Sequence, residues 1–207
     1  MFSTGYYTLF RYRGVPVRFH WTAPLGAFIF SGFRFVPGFW LGFLMLIVIH
    51  EMGHAFLVRQ RRLRSLEIMV HGFGGYCRHE VGSAYDGAII AWGGVLAQLL
   101  VLGLPTVILI QLGLWPQTAF GAELASALTR TNLVLAALNL IPFGGLDGQK
   151  AWQLPKMWWR RRKGAAKSKA NAKAKSHLSV VTKTGESPEE MARRIAAEAL
   201  DQGRRRH

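Results

Sequence analysis

The chain has 207 residues, half of them apolar, and its 26 Lys and Arg against 11 Asp and Glu give a net charge of +15. That is long and apolar enough for one domain with a real core, and it excludes a wholly disordered or fibrous chain. A single cysteine, Cys77, excludes an intrachain disulfide framework.

The opening "MFSTGYYTLFRYRGVPVRFHW" does not have the pattern of a secretory leader. Trp21 to Phe33 is apolar but broken by Pro24, Gly26 and Gly32, and reads as the first of about four membrane crossings. The second run, Val36 to Val58, holds only three ionisable side chains, His50, Glu51 and His54. Leu66, Ile68 and Val70 then alternate with other residues before a glycine-rich turn at Gly72 to Gly75, which predicts a short β strand or hairpin. The third run, Gly87 to Gln111, has no ionisable residue; it opens on "WGGVLAQ", small enough for close helix approach, and Pro105 should kink it. The fourth, Gly113 to Ile141, contains Glu123 and Arg130 and stops at Pro142 and the following glycines.

Each of the three long runs exceeds the roughly 20 residues that span a hydrocarbon core. So many apolar helices would leave too little polar chain to cover them in a soluble domain. The predicted fold class is therefore mainly α: a polytopic membrane protein with about four transmembrane helices and a short β hairpin between the second and third. Residues 1–159 read as the membrane-embedded domain, 160–187 as a basic low-complexity linker, and 188–207 as a short soluble helix capped at Ser187.

Sixteen of the 26 basic residues follow Gln149, and five more lie between the second and third runs. The positive-inside rule places both termini and the Arg59 to Asp86 loop in the cytoplasm, and a bacterial inner membrane is the expected location. The basic tail has no interleaved aromatics and no reading motif, so nucleic acid is not an expected partner; the lipid bilayer is.

Three ionisable side chains within five residues of an apolar helix need compensation, since each costs at least about 2.5 kcal/mol on insertion scales. His50 and His54 are four apart and share a helix face, so both imidazoles can reach one ion, and Glu51 lies beside them. This is HExxH: the histidines hold a zinc ion, the cofactor expected here, and the glutamate takes a proton from the attacking water. A catalytic zinc needs a third protein ligand. Glu80, Asp86, Glu123 and Asp147 are the acids near apolar sequence, and Asp147 is favoured because it follows the Pro/Gly break, where non-helical backbone can line a cavity. Glu123 and Arg130 fall at the opposite end and should find partners there. His71 and His79 read as ordinary loop residues.

With "HEMGH" in one apolar helix and "NLIPFGGLDG" closing a later one, the chain resembles the site-2 protease family of intramembrane zinc metalloproteases. Asn139, Pro142, Asp147 and Gly148 match the family's second motif, and the likeness extends over roughly residues 14 to 150. It implies that Asp147 is the third zinc ligand and that the partner is a transmembrane protein or peptide substrate. The chain departs from the family at Trp92-Gly93-Gly94 and Gln98, where members often have Ala-Gly-Pro and an Asn. The resemblance includes no PDZ or nucleotide-binding module.

A transmembrane substrate must unwind before attack, and the Ser65 to Tyr76 strand should offer it an edge. Asn139 could hydrogen-bond that substrate, support the Asp147 loop, or join helices. Two rival readings are a catalytically inactive membrane zinc protein acting as an adaptor, and a soluble HExxH metallopeptidase. The intact Glu51 argues against the first, because a structural zinc needs no base.

Overall fold

The computed structural model describes residues 5–160 and, beyond them, 162, 171, 187, 189, 190 and 192–197. The chain divides into two compact units, Met1–Lys156 and Met157–His207. In the second, residues 192–197 are helical, and Ser187 and Glu190 cap each other: the Glu190 amide donates to Ser187 Oγ at 3.3 Å and the Ser187 amide to Glu190 Oε2 at 3.0 Å. Most of the stretch read as a linker lies outside the described residues.

The first unit is mainly helical, with a four-stranded mixed sheet in the order β1-β2-β3-β4. Strands β1 (Tyr6–Tyr12) and β2 (Val15–His20) form a hairpin; β2 runs parallel to β3 (Ser65–His71), which turns into β4 (Gly74–His79). The β3–β4 hairpin falls where the alternation of Leu66, Ile68 and Val70 placed it. The N-terminal hairpin was not anticipated, although Arg13-Gly14 between β-branched and aromatic runs is a two-residue turn signal.

The long helix α2 (Pro37–Gln60) is the spine. Val17 and Ile68 of the sheet pack with Ala55, and Val70 packs with Phe43 and Ile47. Val36 offers α2 no capping side chain, and Glu123 accepts the orphan Gly38 amide at 2.9 Å. Glu123 thus finds its partner at the end of α2 away from Arg59.

The first apolar segment departs from the expected crossing helix. Its helix α1 (Ala23–Phe30) has eight residues, about 12 Å of rise against a hydrocarbon core of about 30 Å. The sheet carries the chain up to it. Beginning just past the end of α2, β3 runs back along it until Gly75, paired with Val70, abuts Glu51. Because β2 is parallel to β3, it carries the chain to that same level, and α1 with residues 31–36 covers the rest of the way to Pro37. Gly26 and Gly72 let α1 press onto the β3–β4 turn: a Cβ on Gly26 would meet the Gly72 carbonyl. The glycine that disfavours a long helix is what permits this packing.

The third run forms α3 (Ala84–Ala97), a π-helical stretch (Gln98–Gly103) and α4 (Leu104–Gln111), so the irregularity lies just before Pro105. The fourth forms α5 (Ala119–Ser126), a second π-helical stretch (Ala127–Thr131) and α6 (Asn132–Asn139), followed by the short α7 (Gly148–Ala151). Pro37–Gln60 and Ala84–Gln111, of 24 and 28 residues, are long and apolar enough to cross a membrane. Leu100, Val101, Leu104, Val107 and Ile108 are exposed along the latter, an apolar surface of the kind that faces lipid.

α2 and α3 meet backbone to backbone: a Cβ on Gly93 would lie 2.6 Å from the Gly53 carbonyl oxygen. Gly93→Val is expected to destabilise the detergent-solubilised protein by roughly 1–3 kcal/mol, read as a lower Tm. Gly87→Ala, whose Cβ meets nothing within 4 Å, should not lower it.

Candidate metal centre

α2 projects His50, Glu51 and His54 into one buried cluster, and the chain beyond α6 brings Asp147 to it. α6 ends at Asn139, the chain folds back through Gly145 in a left-handed conformation (φ 92°), and Asp147 precedes α7. A Cβ on Gly148 would strike the carbonyl of Leu140, so only glycine lets the returning chain sit on the helix end. Indole N–H groups fasten the turn: Trp152 donates to the Leu140 carbonyl at 2.7 Å, and Trp92 to that of Ala151 at 3.1 Å.

The three ligand-type side chains converge closely. Asp147 Oδ2 lies 2.9 Å from His50 Nε2 and 3.2 Å from His54 Nε2, and the two Nε2 atoms are 3.1 Å apart. The other ring nitrogens decide the tautomers. His54 Nδ1 lies 2.7 Å from the Ile90 carbonyl, which can only accept; His50 Nδ1 lies 2.6 Å from Gln98 Oε1. That amide is oriented by its own Nε2, which donates to the Asn132 carbonyl at 3.1 Å. Both Nδ1 atoms therefore carry a proton, and each imidazole, when neutral, turns an Nε2 lone pair toward the same point as the carboxylate.

Two neutral imidazoles and a carboxylate so placed direct three lone pairs at one point, the arrangement that a bound cation satisfies. Ligand atoms around a tetrahedral zinc bound at about 2.0–2.1 Å stand roughly 3.3 Å apart, close to what is observed here. Glu51 Oε2 is buried without a hydrogen-bond partner among the described residues, leaving a proton acceptor free beside the cluster. Residues and geometry together fit a divalent metal.

Glycines hold this cluster open as well. A Cβ on Gly94 would collide with His50 Nε2, and one on Gly75 would lie 2.7 Å from Glu51 Cγ. The space that Gly94 leaves is filled by the imidazole.

All four residues line one partly open cavity of about 510 Å³. Asn139, half-buried at the end of α6, lines it too. His71 and His79, read from sequence as loop residues, sit at strand ends on its wall, and Cys77, within β4, lines it too.

Comparison with known proteins agrees with this geometry. The protein named zinc metalloprotease MJ0392, of Methanocaldococcus jannaschii, is 26% identical over 146 residues, which is 68% of this chain and 42% of that protein's length. A solved structure, the site-2 protease from Methanocaldococcus jannaschii, superposes with a TM-score of 0.57 at 21% identity, covering 71% of this chain and 69% of the other. The chain is a distant homologue of that metalloprotease and has a site-2 protease-like fold. It spans well under half the length of the curated relative. No family model matches it.

Sequence reasoning placed the cluster and missed its support. Gln98, fully buried, fixes His50; Asn132, also fully buried, fixes Gln98, donating through Nδ2 to the Gln98 carbonyl at 2.9 Å. The signal was present: Gln98 is a polar residue inside an apolar run, the same anomaly that marked His50. Replacing Gln98 by Leu keeps the volume and removes the acceptor. It is expected to weaken divalent-metal affinity by about 10- to 100-fold in a chelator competition titration, and unchanged affinity would remove Gln98 from the centre.

Proposed function

We propose that the protein is an intramembrane zinc metalloendopeptidase that hydrolyses peptide bonds of transmembrane substrates. The observation that carries this reading is the convergence of His50, His54 and Asp147 beside a partnerless Glu51 oxygen, within an apolar bundle. The three would hold the zinc, whose Lewis acidity, when bound, makes water nucleophilic near neutral pH and polarises the scissile carbonyl. Three ligands in an open cavity suit a catalytic ion; a purely structural zinc would be closed by four protein ligands.

Glu51 takes the proton of the attacking water as its oxygen bonds to the peptide carbon, then gives that proton to the amide nitrogen as the C–N bond breaks. Gln98 and Ile90 hold the imidazoles in the required tautomer. Asn139, on the wall of the same cavity, hydrogen-bonds the substrate backbone. Water reaches the site through the cavity mouth, since hydrocarbon supplies none.

The multi-pass topology that accompanies this reading keeps both termini cytoplasmic, with α2, α3–α4 and α5–α6 as helical crossings and β2–α1 as the fourth passage. The substrate must present an extended segment to be cut. β3 cannot offer the edge expected from the sequence, because it is paired on both sides, by β2 and β4. β4 is the edge, its Gly75 lies against Glu51, and an unwound peptide paired there would pass the metal centre.

In a purified cleavage assay, Glu51→Gln should retain zinc and lose at least about 10²-fold in activity, while His54→Ala and Asp147→Ala should lose the metal. A fully active Glu51→Gln enzyme would eliminate the general-base role. A photocrosslinking residue at Tyr76 on β4, placed in the Glu51→Gln background, is expected to capture a transmembrane substrate; one at Tyr7 on the β1 edge is not. Equal capture at both sites would contradict pairing on β4.

A further inference from the structure

A second cavity, of about 290 Å³, opens away from the metal centre, between the β1–β2 turn, the last turns of α2 and the start of β3. Arg13, Arg59 and Arg64 line it, all exposed, together with Phe56, Leu63 and Leu66. Among the described residues no acidic one lines it. Among the described residues the Arg59 and Arg64 guanidiniums make no ion pair, and Arg13 lies 5.7 Å over the Tyr12 ring.

Of the two neighbouring carboxylates, one is paired with arginines outside the cavity and the other holds the backbone of a cavity residue. Glu67 binds Arg18 and Arg78, at 3.1 and 3.2 Å, and Glu80 accepts the backbone amide of Arg64 at 3.0 Å. The α2 C-terminus would repel an anion through its free carbonyls, but those of Leu57 and Val58 already accept the amides of Arg61 and Leu63. The local field is cationic.

Arg13 is the most informative of the three. The register pairs Tyr12 with Val15, so Arg13-Gly14 is a two-residue hairpin turn, and both residues have positive φ, 50° and 86°. Asn-Gly suits such a turn best, and a long side chain in the left-handed region is strained. The turn gains nothing from arginine; the cavity gains a guanidinium.

Depth supplies the rest. Phe56 precedes Arg59 by about 4.5 Å along α2, whose other residues form the apolar span. Phe56 and Leu66, both exposed, therefore lie on the hydrocarbon side of the arginine rim. A phosphate on a glycerol carrying acyl chains matches this sequence of cation and oil.

We propose that this cavity binds the headgroup of an anionic phospholipid, its phosphate on Arg13, Arg59 and Arg64 and its first acyl methylenes against Phe56 and Leu66. The proposal rests on α2 being a membrane helix and is independent of peptidase chemistry. The test is native mass spectrometry of the full chain released from mixed phosphatidylglycerol and phosphatidylcholine micelles. The wild type should retain phosphatidylglycerol preferentially. The double variant Arg13→Asn/Arg64→Gln should bind it about tenfold or more weakly, and the remote Arg130→Gln should bind it as the wild type does. Equal loss in Arg130→Gln would reduce the effect to diffuse charge, and equal retention of phosphatidylcholine would overturn headgroup selection. Displacement of the lipid by millimolar inorganic phosphate would assign the cavity to free phosphate instead. Circular dichroism of the variants separates loss of binding from loss of fold, and a folded double variant that still binds as the wild type does refutes the site.

Discussion

Two imidazole nitrogens and a carboxylate oxygen, all turning lone pairs toward one point at separations of 3.2 Å or less, cannot rest together in an apolar bundle without positive charge between them. The arrangement of the chain around the cluster follows from meeting that constraint. α2 provides the two imidazoles at i and i+4, the break after α6 provides the carboxylate, and buried acceptors at Gln98 and Ile90 force both lone pairs inward. The polar network that does this is drawn from α2, α3 with the π-helical turn that follows it, the start of α6 and the Asp147 loop, which leaves the remaining helix surfaces free to be apolar.

Glycines set the dimensions of the centre as much as the ligands do. Gly53 against Gly93 brings α2 and α3 within backbone contact, Gly94 and Gly75 leave room for His50 and Glu51, and Gly148 lets the Asp147 loop settle on the end of α6. In hydrocarbon there is no hydrophobic drive to push helices together, so close approach through small residues is the available source of packing. The sheet extends the same logic: β2 and β3 reach the level of Glu51 with their backbone groups paired, as an apolar surrounding requires.

The cluster was legible in the sequence because charge in an apolar run has few physical excuses, and because His50 and His54 are fixed on one face by helix geometry alone. Asp147 could be narrowed to a favoured candidate from the chain break, although its approach to the histidines is a tertiary fact. The β3–β4 hairpin was legible from alternation bounded by glycines. The N-terminal hairpin was obscured by its arginines and aromatics, which hide a period of two, and α1 was over-extended because hydropathy does not register that Gly26 serves packing against Gly72. Gln98 was visible only as a departure from a pattern; its role required knowing that a π-helical turn begins there and aims it at His50.

The central claim is the identity of the ligand set, and X-ray absorption at the zinc K-edge of the purified full-length protein reads it directly. One zinc per chain is expected, with two imidazoles, oxygen at the remaining positions and no sulfur, since Cys77 shares the cavity but not the ligand cluster. A sulfur shell, a single imidazole, or a protein that takes up no zinc would contradict it.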